Sequence, residues 1–257
     1  MIGKQLPTSE LSKNQINRLG DRLRTGDVGE SDLRLLDNYR RSFTDAYEDV
    51  VVRIRDQLGL EPTGRPAKSK TSIIEKLRRE RTRLSRMQGI AGCRVIVPDI
   101  LTQDEVVAGL NGLFEKSIVV DRREHPSHGY RAVHVIVDSA GRLVEIQVRT
   151  SLQHLWAELS EKLSDVVDSA IKYGGGDEDA VRVLMVMSET IKAQEAKESW
   201  LLGSLLVNDP QGDSDETYSE ELKTKDIMKQ RIEIEQLLKA IGEVIPRLKG
   251  RKDDLSD

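Results

Sequence analysis

Apolar residues recur at steps of three and four through the first quarter of the chain. Leu33, Leu36, Tyr39, Phe43, Ala46, Val50, Ile54 and Leu58 form one such stripe, which predicts a single long amphipathic helix. Gly26 and Gly29 separate it from a shorter helix around Ser9 to Arg24. Residues Gly59 to Lys70 include Pro62, Gly64 and Pro66 and read as a loop. Ser72-Ile-Ile-Glu75 has the form of a capping box and predicts a basic helix to about Leu84.

The period then changes. Cys93 to Val97 is a short apolar run ended by Pro98, which fits a buried strand. Thr102-Gln-Asp-Glu105 predicts a helix ending near Phe114, and Ser117 to Val120 reads as a strand. Ala132 to Val137 and Leu143 to Val148, joined through Gly141, predict a β-hairpin. In its second arm Val144, Ile146 and Val148 alternate with Glu145, Gln147 and Arg149, so the three polar groups share one face of the sheet. After Thr150 the helical period returns. Leu152, Leu155, Trp156, Leu159 and Leu163 give one helix, broken by Lys172-Tyr-Gly-Gly-Gly176. A second runs from about Glu178 to Leu206, and a third from about Glu220 to Lys249 after a polar loop at Asn208 to Thr217. A small mixed β-sheet flanked by helices, with helical N- and C-terminal extensions, makes an α+β protein. The expected division is residues 1–60 as N-terminal helices, 61–165 as the core and 166–257 as a C-terminal helical extension.

Composition narrows the function classes. The chain has 257 residues, 33% of them charged, and no run near the ~18 apolar residues of a membrane span. MIGKQLPTSELSK lacks the basic start and apolar stretch of a secretory signal. One cysteine, Cys93, excludes a disulfide framework and a cysteine-rich zinc site, so a cytoplasmic protein is expected. Aromatic content of 4% argues against a stacking platform for single-stranded nucleic acid, and a net charge of −4 gives no general attraction to polyanions. Charge is uneven, however: Arg65 to Arg94 holds ten bases against Glu75 and Glu80, while Asp209 to Glu221 holds six acids and no base. A basic block in an acidic protein suits a small polyanion such as a nucleoside triphosphate.

Three constellations could carry chemistry. Lys68, Ser72 and Lys76 are spaced by four around a capped helix start, where free N–H groups and the dipole favour phosphate. The P-loop pattern itself is absent. Glu145, Gln147 and Arg149 on one strand face could hold a magnesium ion and orient a polyphosphate. Tyr130 and His134 stand just before and within the strand that pairs with them.

GYRAVH (129–134), followed by VEIQVRT (144–150) and QHLWAEL (153–159), resembles the synthetase domain of the RelA/SpoT family of alarmone synthetases. GIAGCRVIV (89–97) resembles that family's Asp-Ile-Ala-Gly-x-Arg strand, and Lys68, Ser72 and Lys76 resemble its ATP-phosphate loop. The likeness runs from about Thr63 to Leu163. The four histidines, at 125, 128, 134 and 154, form no His-Asp pair of the family's hydrolase domain, so a small, stand-alone synthetase is expected. The resemblance implies a nucleotidyltransferase-like sheet and pyrophosphoryl transfer from ATP to the ribose 3′-hydroxyl of GDP or GTP. It implies ATP contacts from Arg65, Lys68, Ser72, Lys76 and Arg94. It implies acceptor contacts from Tyr130, His134 and Gln147, with Arg149, His154 and Asp121 in support, and a Mg2+ ion held by Glu145. A homo-oligomer is the expected assembly and an antitoxin a candidate partner.

Two positions depart from the family pattern. Gly89 stands where the family has its metal-binding aspartate, which implies a crippled enzyme. Pro126-Ser127 stands where many guanosine-using members carry Pro-Lys. Two other readings follow. One is the toxic branch of the family, which acts on adenine nucleotides or the 3′ end of tRNA and would use the Arg78 to Arg86 block. The other is a nucleotide-binding pseudoenzyme.

Overall fold

The computed structural model describes residues 11–207 and 214–253. Helix α1 (Lys13–Thr25) opens on Ser12, which exchanges hydrogen bonds with Gln15, and closes on Gly26 at φ 87°. The long helix expected over residues 33–58 is two helices, α2 (Glu30–Arg41) and α3 (Thr44–Leu58). At the break the Ser42 hydroxyl donates to the Tyr39 carbonyl at 2.7 Å, and the Phe43 N–H turns back to Arg40. A serine side chain that competes for a helix carbonyl ends the ladder there. The apolar spacing runs on across the break, so the pattern alone shows one helix.

The expected loop after Gly59 contains a short strand, β1 (Thr63–Arg65), antiparallel to β2 (Ala91–Val97). A Cβ on Gly64 would lie on the Gly92 carbonyl and 2.5 Å from Cys93 Cα. Helix α4 (Lys70–Arg79) starts earlier than expected: its N-cap is Ser69, whose hydroxyl accepts the Ser72 N–H at 3.1 Å. It also stops short of Leu84. Arg24 of α1 donates to the carbonyls of Leu77 (3.0 Å) and Thr82 (2.5 Å), and residues Leu84–Arg86 form a separate 3-10 turn.

Helix α5 (Ile100–Leu113) is capped by Asp99, which accepts from the Thr102 N–H at 2.8 Å, so Thr102 is not the cap. Strands β3 (Ser117–Asp121), β4 (Val133–Ser139) and β5 (Arg142–Thr150) follow. The β4–β5 connection is two residues long. Ala140 (φ 49°) and Gly141 (φ 76°) both have positive φ, the signature of a type I′ hairpin turn. Helix α6 (Ser151–Val166) opens on a Thr150/Gln153 capping box. A 3-10 turn (Ser169–Tyr173) ends at Gly174, and α7 (Glu178–Val207) and α8 (Ser214–Asp253) complete the described chain. Helix α8 thus begins ahead of the expected Glu220. The rest of the expected loop, 208–213, lies outside the described residues.

The strands form one mixed sheet in the order β1-β2-β5-β4-β3, and the α+β expectation holds. The chain divides into two compact units. One comprises residues up to 94, 113–118 and 136–146; it buries Leu19, Leu23, Leu36, Ile54, Ile73 and Leu77. The other comprises 95–112, 119–135 and the chain from 147 on; its core includes Leu152, Trp156, Leu159, Leu184, Ile191 and Leu238.

Gly64→Ala should lower stability by about 1–3 kcal/mol, because the new methyl meets backbone that cannot move aside. Gly112→Ala, in α5 with open space around its Cβ position, should instead add up to about 1 kcal/mol. Urea denaturation of both variants checks the pair.

Candidate active site

In the first unit, seven of the expected site residues lie on β1, β2, β5, the loop before β2 and around the start of α4. The β1–β2 register sets Thr63 opposite Arg94 and Arg65 opposite Gly92. Opposed residues of an antiparallel pair share a face, so Arg65 and Arg94 are diagonal neighbours on one side of the sheet. A Cβ on Gly92 would lie 3.6 Å from Glu145 Cβ and 2.9 Å from its carbonyl oxygen. That glycine lets β2 approach β5 where Glu145 stands.

Gly89 sits against the same side chain. Its φ is +75°, and a Cβ there would fall 2.7 Å from Glu145 Oε2. The flanking residues are tied to the phosphate-loop candidates. The Lys68 N–H donates to the Ile90 carbonyl at 2.7 Å, and Lys76 Nζ donates to the Gln88 carbonyl at 3.0 Å. Lys68 immediately precedes the cap of α4, Ser72 is in its first turn, and Lys76 is one turn further on. The Ser69 hydroxyl also donates to Ser72 Oγ at 2.8 Å.

Burial holds the Lys68 ammonium below the usual lysine range. Lys76 and Arg65 push it the same way, Glu145 opposes them, and Arg79 adds to the lowering. Four cations therefore act on one electrostatic neighbourhood, set against Glu145 and against Glu80, which pairs with Lys76 at 3.8 Å and Arg79 at 3.2 Å. Such a cluster is costly unless an anion shares it. It does not by itself make a resident magnesium site: Mg2+ takes oxygen ligands, and among the described residues no group of three or more His, Cys, Asp or Glu could hold a metal.

In the second unit four of the expected residues meet. Tyr130 Oη lies 2.8 Å from His134 Nε2, and Arg149 Nη2 donates to Tyr130 Oη at 3.0 Å and to Gln147 Oε1 at 2.7 Å. The Arg149 guanidinium stands 5.0 Å from the Tyr130 ring centroid, and its Nε is buried without a hydrogen-bond partner. Two others engage elsewhere. Asp121 takes the Arg123 guanidinium at 2.6 Å, and those bonds outweigh burial to hold its carboxyl below the ordinary range. His154, on α6, has Glu158 at 3.4 Å.

Comparison with known proteins gives this arrangement a relation. Residues 64–164 match the family profile described as "Region found in RelA / SpoT proteins". That segment is a RelA/SpoT domain. An uncharacterized protein of Mycobacterium tuberculosis (strain H37Rv) is 35% identical over 170 residues, 63% of this chain and 62% of that protein. GTP pyrophosphokinase YjbM of Bacillus subtilis (strain 168) is 33% identical over 138 residues, 47% of this chain and 61% of that protein. The chain thus matches less than two thirds of the length of each. The crystal structure of small alarmone synthetase 1 from Bacillus subtilis, bound to its product pppGpp, superposes with a TM-score of 0.54 at 24% identity. It covers 67% of this chain and 99% of that one, a likeness of fold.

The RelA/SpoT domain has supports that the sequence reading missed. Arg40 of α2 donates to the Lys68 carbonyl at 2.6 Å. Asp37 pairs with Arg40 at 2.7 Å and with Lys70 at 2.9 Å, and the Lys70 bond above all lowers its carboxyl. Their only sequence signal is an i, i+3 acid–base pair on a helix, which many solvated faces share.

Gly89→Ala should destabilise the fold by about 1–2 kcal/mol, the cost of a left-handed conformation for a residue with a side chain. Gly89→Asp should cost at least as much without a bound cation, because aspartate's better tolerance of that region is offset by a second carboxylate set against Glu145. Chemical denaturation that finds Gly89→Ala neutral would show that the backbone here is free to change.

Proposed function

We propose that the RelA/SpoT domain is a pyrophosphokinase site. ATP binds through Arg65, Lys68, Ser72, Lys76 and Arg94, and a guanine nucleotide is the acceptor at Tyr130, His134 and Gln147. In this reading the acceptor's 3′ oxygen bonds to the β-phosphorus of ATP. The bond from that phosphorus to the α–β bridging oxygen breaks, and AMP leaves. Glu145 is the group suited to receive the hydroxyl proton. Phosphoryl transfer depends on positioning and on positive charge around the phosphates more than on covalent chemistry, and Lys68, Lys76, Arg65 and Arg79 supply that charge. Glu145 alone does not make a magnesium site among the described residues.

One observation carries the reading. A side chain at position 89 would point at the Glu145 carboxylate from 2.7 Å, and 89 is the position at which the family pattern has its metal-binding aspartate. Gly89 therefore removes one member of a facing carboxylate pair while its neighbours stay in place, and the chain is a catalytically impaired member. A second acceptor, the 3′ end of tRNA, finds support in the exposure of Arg81, Arg83 and Arg86. The homo-oligomer expectation finds support in the exposed Val186 and Trp200 of α7.

The deciding experiment is Gly89→Asp, supplied with magnesium, γ-labelled ATP and, in turn, GDP, GTP, ATP and bulk tRNA as acceptors. Label should pass to GDP or GTP at a rate about 10²-fold or more above the unaltered chain, the usual scale for restoring one charge-stabilising group. If the aspartate form folds and binds ATP yet labels no acceptor, the reading falls and a nucleotide-binding pseudoenzyme replaces it.

Lys68 gives an independent check. Its pKa lies below that of an ordinary lysine, and a bound phosphate favours the charged form and raises it. Binding of a non-hydrolysable ATP analogue should therefore take up protons on the alkaline side. Affinity should fall with rising pH before an ordinary lysine, near pH ~10.4, would titrate. Calorimetry in buffers of different ionisation enthalpy should show that uptake, and Lys68→Met should abolish it.

A further inference from the structure

Helix α7 buries a stripe at Leu184, Ser188, Ile191, Glu195 and Glu198. Steps of three and four make this one helix face, yet three of its five members are polar. Buried polar groups are costly unless bonded, so each should have a partner off the helix. Ser188 Oγ accepts from Arg131 Nε at 3.0 Å and donates to the Gly129 carbonyl at 2.6 Å. Its exposed neighbour Glu189 takes Arg131 Nη2 at 2.6 Å, and Arg131 Nη1 also holds the Arg123 carbonyl. Arg131, 4% exposed, is thereby clamped on three sides. Gly129 itself, at φ +84°, leaves no room for a Cβ, which would meet Trp156 at 2.8 Å and the Ser188 Cβ at 3.3 Å. Trp156 is in turn anchored to α7 by its Nε1–H, which donates to the Leu184 carbonyl at 2.8 Å.

Two turns along the same face, Glu195 accepts from the Thr150 hydroxyl and from Gln153 Nε2 at 3.1 Å. Those are the two residues of the capping box that joins β5 to α6. The clamped residues bracket the cluster already described. Gly129 and Arg131 flank Tyr130, and Thr150 follows Arg149, and Tyr130 and Arg149 touch each other at 3.0 Å.

We propose that α7 is a positioning element of the acceptor half, with Ser188, Glu189 and Glu195 setting the separation of Tyr130 and Arg149 from behind. The inference rests on the acceptor reading above and deepens it: a helix outside the RelA/SpoT match decides acceptor affinity without touching the acceptor.

The full-length chain tests it with two readouts. Hydrogen exchange on the ligand-free protein should rise about tenfold at 127–131 in Ser188→Ala and at 149–153 in Glu195→Ala, the scale of one or two lost hydrogen bonds, with the rest of the chain unchanged. Calorimetry should find GDP affinity about tenfold weaker in both variants, with affinity for a non-hydrolysable ATP analogue unaltered. Glu195→Gln, which keeps an acceptor for Thr150, should restore GDP affinity, and Thr190→Ala on the exposed face of α7 should change nothing. If Ser188→Ala does not fold, Glu189→Ala, which removes the acceptor of Arg131 Nη2 from a side chain that is 60% exposed, decides by the same readouts. The proposal is overturned if GDP binds, Tyr130→Ala weakens it, and the α7 variants leave it unchanged. If GDP affinity is indifferent to Tyr130→Ala, the acceptor reading itself has failed and this proposal falls with it, whatever the exchange records.

Discussion

Everything in the first unit's site depends on backbone brought close to one carboxylate. Gly92 lets β2 approach β5 at Glu145, and Gly89 lets the preceding loop pass directly over the Glu145 oxygens. Gly64 does the same one strand further out, where β1 meets β2. Side chains at these three points would hold the strands apart, and Arg65, Arg94 and Glu145 would no longer share one compact region. The loop is then stapled on both sides of Gly89 by Lys68 and Lys76, so the residues that carry positive charge also fix the backbone under the carboxylate. That dual use makes the region unforgiving. A change at Lys76 alters both the field and the loop beneath Glu145, whereas a change at Lys68 alters the field and keeps its backbone bond to Ile90.

The second unit is held by a different device, polar groups buried on a helix face. Isolated, such groups are poor evidence for stability, because desolvation cancels much of what the bonds return. Glu195 illustrates the cost. Burial pushes its carboxyl above the ordinary range even though Thr150 and Gln153 both donate to it. Glu198 is similarly buried, bonded by Gln194 at 2.8 Å and paired with Arg231 of α8, which also reaches the Ser151 hydroxyl at 2.6 Å. An apolar stripe of the same volume would pack α7 at lower cost. What the polar version adds is direction: Ser188 ends on the Gly129 carbonyl and Glu195 on the Thr150–Gln153 cap, both at the edge of the Tyr130 and Arg149 cluster.

Much of this was legible in the sequence, for identifiable reasons. Period-two alternation fixed the face shared by Glu145, Gln147 and Arg149, and the hairpin and its glycine were readable from Asp138 to Arg142. The family likeness of GYRAVH and VEIQVRT carried the rest of the core. The differences were places where one side-chain bond, local or distant, set the outcome. Ser42 divided the long helix without disturbing its apolar period. Arg24, far away in sequence, ended α4 by taking the carbonyls of Leu77 and Thr82. Ser69 outcompeted Ser72 for the cap because both are serines and only the chain's path chooses between them. The roles of Arg131, Ser188 and Glu195 were invisible for the same reason: a polar residue in an amphipathic stripe looks like a flaw until its partner is known.

The Tyr130 ring shows how the two halves of the reading constrain each other. Stacking a base on a tyrosine is worth about 1–3 kcal/mol. The Arg149 guanidinium already stands 5.0 Å from that ring centroid and donates to Tyr130 Oη and Gln147 Oε1. A base sandwiched between them would need about 7 Å, two ordinary contact distances of ~3.5 Å, so the gap would have to widen by about 2 Å. Moving Arg149 that far gives up two charge-assisted bonds of about 1.5–3 kcal/mol each, and a cation–π contact besides, which exceeds what stacking returns. An acceptor base therefore gains most by leaving Arg149 in place and meeting Tyr130 away from it. Under the proposed acceptor reading, Arg149 would then be a fixed wall beside the base and not a lid, held by its bonds to Tyr130 and Gln147.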